Sequence, residues 1–258
     1  MKNETLNKKR IQILDEVRGL AVFMMILYHG YYVCGAFFNI EAGSRLFAFF
    51  KPAEPFFAAI FISACGISTT LSHNNLRRSF KILAGAAGFT LATVFILPRI
   101  GFPGFEDYFG ILHFLGISVL ICALASKLID RINPYYGILA CAVLYPFFSP
   151  IEQGMLSYGE MFVLKLPRVL YTFNYLMPLG FHTADFTSAD YFPLFPHIFI
   201  FLFGVFLGRI NAAKGWPEGA YRKRIPFLGV LGRHAFIIYI IHMPVWALIA
   251  YIITLILN

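Results

Sequence analysis

Charged residues are scarce in this sequence: Asp, Glu, Lys and Arg make up 13% of the 258 residues, whereas 59% are hydrophobic. Soluble domains usually carry about 25% charged residues, so this composition excludes an ordinary water-soluble domain. Apolar runs long enough to cross a bilayer recur along almost the whole chain. We therefore predict a multi-pass protein of the cell membrane, surrounded by the lipid bilayer.

Cysteine is also sparse, and no part of the chain repeats. The four cysteines fall within apolar runs without the spacing of metal ligands, which predicts packing residues and no metal site. There is no Gly-rich phosphate loop, no internal repeat and no low-complexity tract, so we expect one integral membrane domain over residues 1–258. The net charge of +8 indicates membrane orientation and not a nucleic-acid partner.

The expected fold class is all-α, a polytopic transmembrane helical bundle. It has about seven spans, at 17–38, 55–72, 79–97, 109–126, 134–149, 194–209 and 234–257. If 150–193 does not cross, sixteen of the twenty-one Lys and Arg residues lie on one side. The positive-inside rule then makes the N-terminus cytosolic, and residues 150–193 become an outer lid or a re-entrant segment. Small residues at helical spacing, such as Gly66, Thr70, Gly204 and Gly208, predict close helix contacts.

The first span begins with charge and carries a histidine deep in its apolar run. Arg18, Val22, Met25 and His29 lie on one helical stripe, and Asp15 is three residues before Arg18, where it can pair with it. Arg18 and His29 are separated by about 16 Å along the helix. One helix face therefore links a cytosolic cation to a titratable imidazole within the membrane. This arrangement fits a reaction whose reactants come from opposite sides.

Four other polar residues need an explanation, because burying an ionisable group in a bilayer is costly. His113 enters the fourth span from outside, Asp190 and His197 flank the outer mouth of the sixth, and His242 lies about 12 Å into the last. A functional role is favoured for His29 and His113. For His242, a neutral imidazole that holds two helices together is an equal alternative. For His197, a simple interfacial position is favoured.

Acidic and aromatic residues are interleaved on the predicted outer side, as in GFPGFEDYFG around Asp107 and FHTADFTSADYFPLFPH around Asp190. Aromatic faces beside carboxylates would suit a sugar, which stacks on rings and donates its hydroxyl hydrogens. An interfacial aromatic belt with an acidic loop is the alternative interpretation.

A basic rim is predicted on the cytosolic side, formed by Lys8, Lys9, Arg10, Arg18, Arg222, Lys223, Arg224 and Arg233. Membrane topology and attraction to anionic lipid explain such a rim. The alternative hypothesis is a binding site for the phosphates of an acyl-CoA. The residues alone favour topology and lipid attraction.

Four stretches together carry a resemblance to a known family: RIQILDEVRGLAVFMMILYH, FGILHFLGIS, ADYFPLFPHIFIFLFGVFLGR and LGRHAFIIYIIHMPV. In order and content they resemble bacterial membrane proteins related to the catalytic region of heparan-α-glucosaminide N-acetyltransferase, over roughly residues 10–250. The RGLA…H opening is also similar to membrane acyltransferases that decorate cell-envelope glycans. The resemblance implies an N- or O-acetyltransferase. It would move an acetyl group from cytosolic acetyl-CoA to an amine or hydroxyl of a sugar or glycan outside.

The stripe from Arg18 to His29, with His113 near the same depth, motivates a hypothesis for the residues of this reaction. His29 would be a general base or a nucleophile, and His113 would orient it or stabilise the oxyanion. The acceptor would contact Asp190, Asp107 and His197, and acetyl-CoA, the co-substrate, would contact Arg18, Asp15, Arg233 and His242. In lysosomal heparan-α-glucosaminide N-acetyltransferase an Asn occupies the position of His29. The histidine implicated in its catalysis lies eleven residues further along. That position is Ile40 here, so that histidine cannot be carried over. Either His29 acts in its place from within the helix, as the RGLA…H pattern indicates, or this branch has changed its substrate or its chemistry.

A different class of function fits almost as well. A small proton-coupled transporter or flippase without transferase activity could also use membrane histidines and an acidic vestibule. The missing inverted repeat and the absence of matching broken helices count against it. A structural partner subunit and a homo-oligomer also remain open.

Overall fold

The computed structural model describes residues 10–101 and 103–257, and Lys8 and Lys9 of the predicted basic rim lie outside this part. The fold-class prediction is confirmed, because the described chain is a bundle of apolar helices with one small hairpin. The elements are α1 (Gln12–Ala36), α2 (Glu41–Phe50), α3 (Glu54–Thr69), α4 (Asn75–Thr90), α5 (Ile111–Leu124), α6 (Ser126–Arg131), α7 (Pro134–Phe148), β1 (Met155–Tyr158), β2 (Phe162–Lys165), α8 (Leu194–Lys214), α9 (Pro226–Arg233) and α10 (Ala235–Leu257).

Six helical stretches in the described chain are long and apolar enough to cross a membrane: Gln12–Ala36, Glu41–Thr69, Asn75–Arg99, Pro134–Gln153, Leu194–Lys214 and Ala235–Ile256. They match six of the seven predicted spans. The remaining one, predicted at 109–126, is the shorter apolar helix α5, followed after a turn at Ala125 by α6. The long stretch Asn75–Arg99 stays helical by changing from α4 to a π-helical segment at Leu91–Ile96 and a 3-10 turn at Leu97–Ile100.

The contacts divide the chain into two compact units, which we describe separately. The first comprises the residues up to Ala64 and those from Lys214, and the second is Cys65–Ala213. The expectation of one membrane domain therefore stays a prediction.

In the first unit, α1 and α9 cross with their backbones in contact at two glycines. A Cβ on Gly19 would lie 1.8 Å from the Leu228 carbonyl oxygen, and one on Gly232 would lie 1.8 Å from the Asp15 carbonyl oxygen. Only glycine fits at either position. In lipid, where apolar burial gives helices little reason to associate, such close backbone packing holds them together.

Helices α1 and α10 run in the same direction. Three successive contacts show this. Near the start of α1, Gly19 contacts Gly232, and further along α1, His29 contacts His242. Next, Gly30 packs on the Trp246 indole, since a Cβ at position 30 would lie 2.1 Å from that ring. Two spans that run in the same direction enter from the same side, so the number of crossings must be odd. This constraint favours seven crossings, with α5 as the span too short for the length criterion. The side on which the N-terminus lies stays a prediction.

Helix α2 lies between the predicted spans 17–38 and 55–72, where the sequence analysis places no helix. It folds back on the C-terminal end of α1 because small residues meet there. A Cβ on Gly35 would lie 2.6 Å from the Ser44 hydroxyl, and one on Gly43 would lie 2.7 Å from the Cys34 Cβ.

The second unit shows the predicted small-residue contacts. A Cβ on Gly66 would lie 2.2 Å from the Phe201 carbonyl oxygen and 3.2 Å from Gly204, and one on Gly208 would lie 2.7 Å from the Thr70 hydroxyl. In the same unit, α4 packs on α5, where Gly116 gives room to Leu83.

The segment 150–193 contains no α-helix. It consists of a two-stranded antiparallel hairpin, β1 with β2, and short 3-10 turns at Ile151–Gln153, Arg168–Tyr171 and Asn174–Leu179. Whether it forms an outer lid or a re-entrant segment stays a prediction.

The backbone contact at Gly19 predicts that alanine is not tolerated there. We expect Gly19→Ala to lower the yield of monodisperse protein and its thermal unfolding temperature, because a methyl group would overlap the Leu228 carbonyl. Gly88→Ala is the matched control, since nothing lies within 4 Å of that Cβ position. Replacing a helical glycine there should stabilise by about 0.5–1 kcal/mol. Equal melting temperatures for the two variants would contradict the backbone crossing.

Candidate functional site

The first unit brings two histidines into direct contact. His29 from α1 and His242 from α10 form a hydrogen bond, with 2.9 Å between Nδ1 of His29 and Nε2 of His242. Their ring centroids are 5.0 Å apart. His242 is buried, at 5% exposure, whereas His29 is half-buried. The edge of Tyr28 lies beside the His29 ring, with 5.4 Å between ring centroids.

The hydrogen bonds of this histidine pair fix which nitrogens carry protons in the neutral state. Nδ1 of His242 lies 2.6 Å from the Tyr239 carbonyl oxygen, which can only accept, so Nδ1 of His242 is the donor. Its Nε2 must then accept the hydrogen of His29 Nδ1. Nε2 of His29 is left with a lone pair, and no hydrogen bond from the described chain occupies it. The pair therefore presents one nitrogen that can take up a proton.

A second group of side chains lies at the N-terminal end of α1, which we call the helix-crossing cluster (Arg10, Asp15, Glu16, Arg18 and Gly232). The buried carboxylate of Asp15 binds the Arg10 guanidinium and lies 3.5 Å from Nη1 of Arg18. The same Nη1 lies 3.4 Å from the Gly232 carbonyl oxygen. Pairing with Asp15 raises the pKa of Arg10. The predicted pairing of Asp15 with Arg18 is present, although Arg10 is the closer partner.

Glu16 joins α1 to the segment before α9. Its Oε1 accepts hydrogen bonds from the backbone N–H groups of Arg224, at 2.7 Å, and Ile225, at 3.0 Å. A carboxylate at this place satisfies otherwise unpaired donors near a helix N-terminus and interacts well with the helix dipole. The side chains of Arg224 and Arg233 are both exposed. Nη1 of Arg233 lies close to Glu16, since a Cβ on Gly229 would be 3.5 Å from that nitrogen and 3.8 Å from Cγ of Glu16.

The second unit contains two carboxylates that meet at the start of α5. A Cβ on Gly110 would lie 2.4 Å from Oδ2 of Asp107 and 2.7 Å from Oδ2 of Asp190, so both carboxylates converge on this glycine. The same Asp190 oxygen accepts the N–H of Ile111, at 3.1 Å, and so helps to cap α5. Backbone bonds from Phe192 to Phe109 and from Ala189 to Glu106 hold the two loops side by side.

His113 and Thr90 complete this carboxylate cluster (Asp107, Asp190, His113 and Thr90). The Thr90 hydroxyl donates to the Asp107 carbonyl at 2.8 Å and lies 3.3 Å from Nε2 of His113. The His113 ring stacks on Phe109. Two buried polar atoms of the cluster, Oδ1 of Asp107 and Nδ1 of His113, have no hydrogen-bond partner in the described chain. Such atoms are normally satisfied, so a polar partner, either an ordered water or a ligand, is expected here.

The electrostatics of the cluster favour one protonated carboxyl group. Burial, together with the neighbouring Asp190 carboxylate, raises the pKa of Asp107 to about 8. Two carboxylates this close cannot both ionise without a large penalty. At neutral pH the cluster therefore combines a proton donor and a charged acceptor.

His197 lies in the same unit but is held locally. Its Nδ1 is 2.9 Å from the Pro193 carbonyl oxygen, and its ring contacts Phe114 and Phe192.

The four stretches that carry the resemblance are therefore joined in pairs. The first, with Asp15, Arg18 and His29, contacts the fourth, with Arg233 and His242. The second, with Asp107 beside it and His113 within it, contacts the third, with Asp190 and His197. The expected pairing of His113 with His29 joins different units and stays a prediction.

Sequence reasoning did not foresee the contact between His29 and His242. A signal was present, since each histidine lies ten residues after a glycine of the crossing, Gly19 in RGL and Gly232 in LGR. It also missed Thr90 and Thr93, whose hydroxyls bond the backbone of Asp107.

Comparison with known protein families identifies a match over most of the chain. Residues 10–244 match the model of a family described as heparan-alpha-glucosaminide N-acetyltransferase, catalytic. No curated protein and no solved structure matches the chain significantly.

The raised pKa of Asp107 predicts a pH-dependent stability. From about pH 4 to pH 8 the native state holds a proton that the unfolded chain releases. Stability therefore falls with rising pH in this window, by at most about 1.4 kcal/mol per pH unit, and levels off above pH 8. We expect Asp107→Asn to flatten the decline of the melting temperature between pH 5 and pH 8.5 in detergent. Glu160→Gln, at an exposed carboxylate, is the control. A decline in Asp107→Asn as steep as in the unmodified protein would refute the assignment.

Proposed function

This chain belongs to the family of heparan-α-glucosaminide N-acetyltransferase catalytic domains, which implies a membrane acetyltransferase, and we propose its reaction on that premise. The donor is cytosolic acetyl-CoA. The acceptor is an amine or hydroxyl of a sugar or glycan on the extracytoplasmic side. The observation that carries the proposal is the histidine pair, which leaves Nε2 of His29 as an available base within a membrane helix.

In this reaction His29 acts on the acceptor. As the acceptor nitrogen or oxygen attacks the acetyl carbonyl, Nε2 of His29 takes its proton, the new bond to the acetyl carbon forms, and the bond to the CoA sulfur breaks. The proton then passes to the departing thiolate. His242 is a positioning residue, because its Nε2 holds Nδ1–H of His29 and so keeps the reactive nitrogen unprotonated. A nucleophilic role for His29, through an acetyl-imidazole, remains the alternative.

For the donor, we propose the helix-crossing cluster and its neighbours. Arg233 and Arg224 offer exposed guanidinium groups for the CoA phosphates. Asp15 is already paired with both Arg10 and Arg18, so this group holds the end of α1 in place beside the donor. A continuous helix leads from there to His29. The hydrogen bond between His242 and His29 supports a role for His242 beside His29 and not in binding CoA.

For the acceptor, we propose the carboxylate cluster. Oδ1 of Asp107 and Nδ1 of His113 are buried without a partner, and Asp190 adds a second carboxylate. Hydroxyl and amine groups could satisfy these atoms. Phe109, Phe192 and His197 supply ring faces nearby, as in sugar sites.

We expect His29→Ala to lower acetyl transfer from radiolabelled acetyl-CoA in reconstituted vesicles by about 100-fold or more, because a positioned base contributes about 10²–10⁴-fold. Acetyl-CoA should still raise the melting temperature of the variant, which shows that it is folded and binds donor. Transfer that survives in His29→Ala would exclude both the base and the nucleophile roles. A protein without any thermal response to acetyl-CoA would instead favour the transporter or flippase.

The positioning role of His242 predicts a graded effect. His242→Leu removes the acceptor for Nδ1–H of His29 and should lower kcat about tenfold or more, with the KM for acetyl-CoA unchanged. His242→Gln keeps an acceptor oxygen near that place and should restore part of kcat. If His242 bound CoA instead, both variants would raise the KM, and glutamine would rescue nothing.

A further inference from the structure

The hairpin in the second unit exposes apolar side chains to an unusual degree. All four residues of β2 are exposed, among them Phe162, Val163 and Leu164, and Met161 in the turn is 95% exposed. The segment that follows continues the pattern, with Val169, Phe173 and Tyr175 largely exposed. In water, an exposed apolar patch of this kind marks an interaction surface or an aggregation site.

The backbone of the hairpin restricts what can cover this patch. In the described chain, β2 pairs only with β1, so its outer edge offers free N–H and C=O groups. An open sheet edge is not stable in the hydrocarbon core of a membrane, where nothing satisfies these groups. At the level of the headgroups, water and lipid phosphates can satisfy them. The patch therefore fits the membrane interface.

Contacts with α7 hold the hairpin against a membrane span. The Tyr158 hydroxyl donates to the Val143 carbonyl, and the rings of Tyr158 and Phe162 pack on Phe147, with centroids 5.3 and 5.9 Å away. Val143 lies five residues before the end of α7, about 7.5 Å back along the helix. The hairpin thus folds back beside a membrane span. Leu139 and Val143 of the same span also expose apolar side chains.

The charges at the rim of the patch match a lipid surface. Lys165 ends β2 and Arg168 begins the next turn, and both are exposed. Long cationic side chains beside aromatic rings are typical of the membrane interface, where the stem lies in the apolar region and the charge reaches a phosphate.

We propose that residues 155–176 rest in the lipid headgroup region of the leaflet reached by the C-terminal end of α7. The partner is bilayer lipid. The inference uses only the membrane embedding of the chain and does not depend on the acetyltransferase proposal.

The test attaches an environment-sensitive fluorophore to Met161→Cys in vesicles, with Phe162→Cys as a second position in case the first fails to fold. The four native cysteines are buried. Asp185→Cys is the matched control, since Asp185 is fully exposed in the same outer segment. Spin-labelled lipids carry the quencher either near the headgroup or deep in the acyl chain, and iodide reports access from water.

We expect the headgroup-level label to quench the fluorophore at Met161 about twofold more than the deep label, with iodide quenching weaker than at Asp185. Strong iodide quenching without lipid quenching would overturn the proposal. Stronger quenching by the deep label would also overturn it, because it would indicate a re-entrant segment. Protection from both quenchers that disappears at one chain per nanodisc would overturn it in favour of a second copy of this chain.

Discussion

The backbone contact between Gly19 and Gly232 is the constraint on which the first unit depends. With no side chain between them, the backbones of α1 and α9 are in contact. From this point α1 and α10, the helix after α9, run in the same direction. His29 and His242 lie ten residues after Gly19 and Gly232, respectively, and contact each other. Directly after them, Gly30 packs tightly on Trp246. The histidine pair is thus fixed between two tight contacts. Close packing at small residues and hydrogen bonds between helices fix the register of membrane helices, since lipid and core are equally apolar.

The same principle operates in the second unit with different chemistry. There Gly110 gives two carboxylates the room to meet, and Asp190 reaches the first N–H of α5. Backbone bonds between the loops at 106–109 and 189–192 supply the support that side-chain packing supplies elsewhere. In both units, a glycine removes a side chain where polar groups from distant parts of the sequence must converge. Gly19, Gly110 and Gly232 lie in the first, second and fourth of the stretches that carry the family resemblance. The third contributes Asp190, whose carboxylate lies at Gly110.

Much of the fold was predictable because it follows from local rules. Apolar length gave the helices, and small residues such as Gly66 and Gly208 gave their close contacts. The pair Asp15 and Arg18 was predictable because three residues along a helix set the geometry. The partners of His29 and Asp107 were not, since they lie far away in sequence and depend on which helices pack. Helix α2 was missed because its folding back depends on Gly35 and Gly43, whose contact no periodicity reveals.

The central claim is that Nε2 of His29 receives the proton of the acceptor during acetyl transfer. A structure with a stable acetyl-CoA analogue tests it most directly. The account predicts the acetyl carbonyl carbon of the analogue within about 4 Å of Nε2 of His29, with the CoA phosphates near Arg224 and Arg233. An analogue bound away from α1, or a His29 ring closed off by dry packing on the side of Nε2, would contradict it.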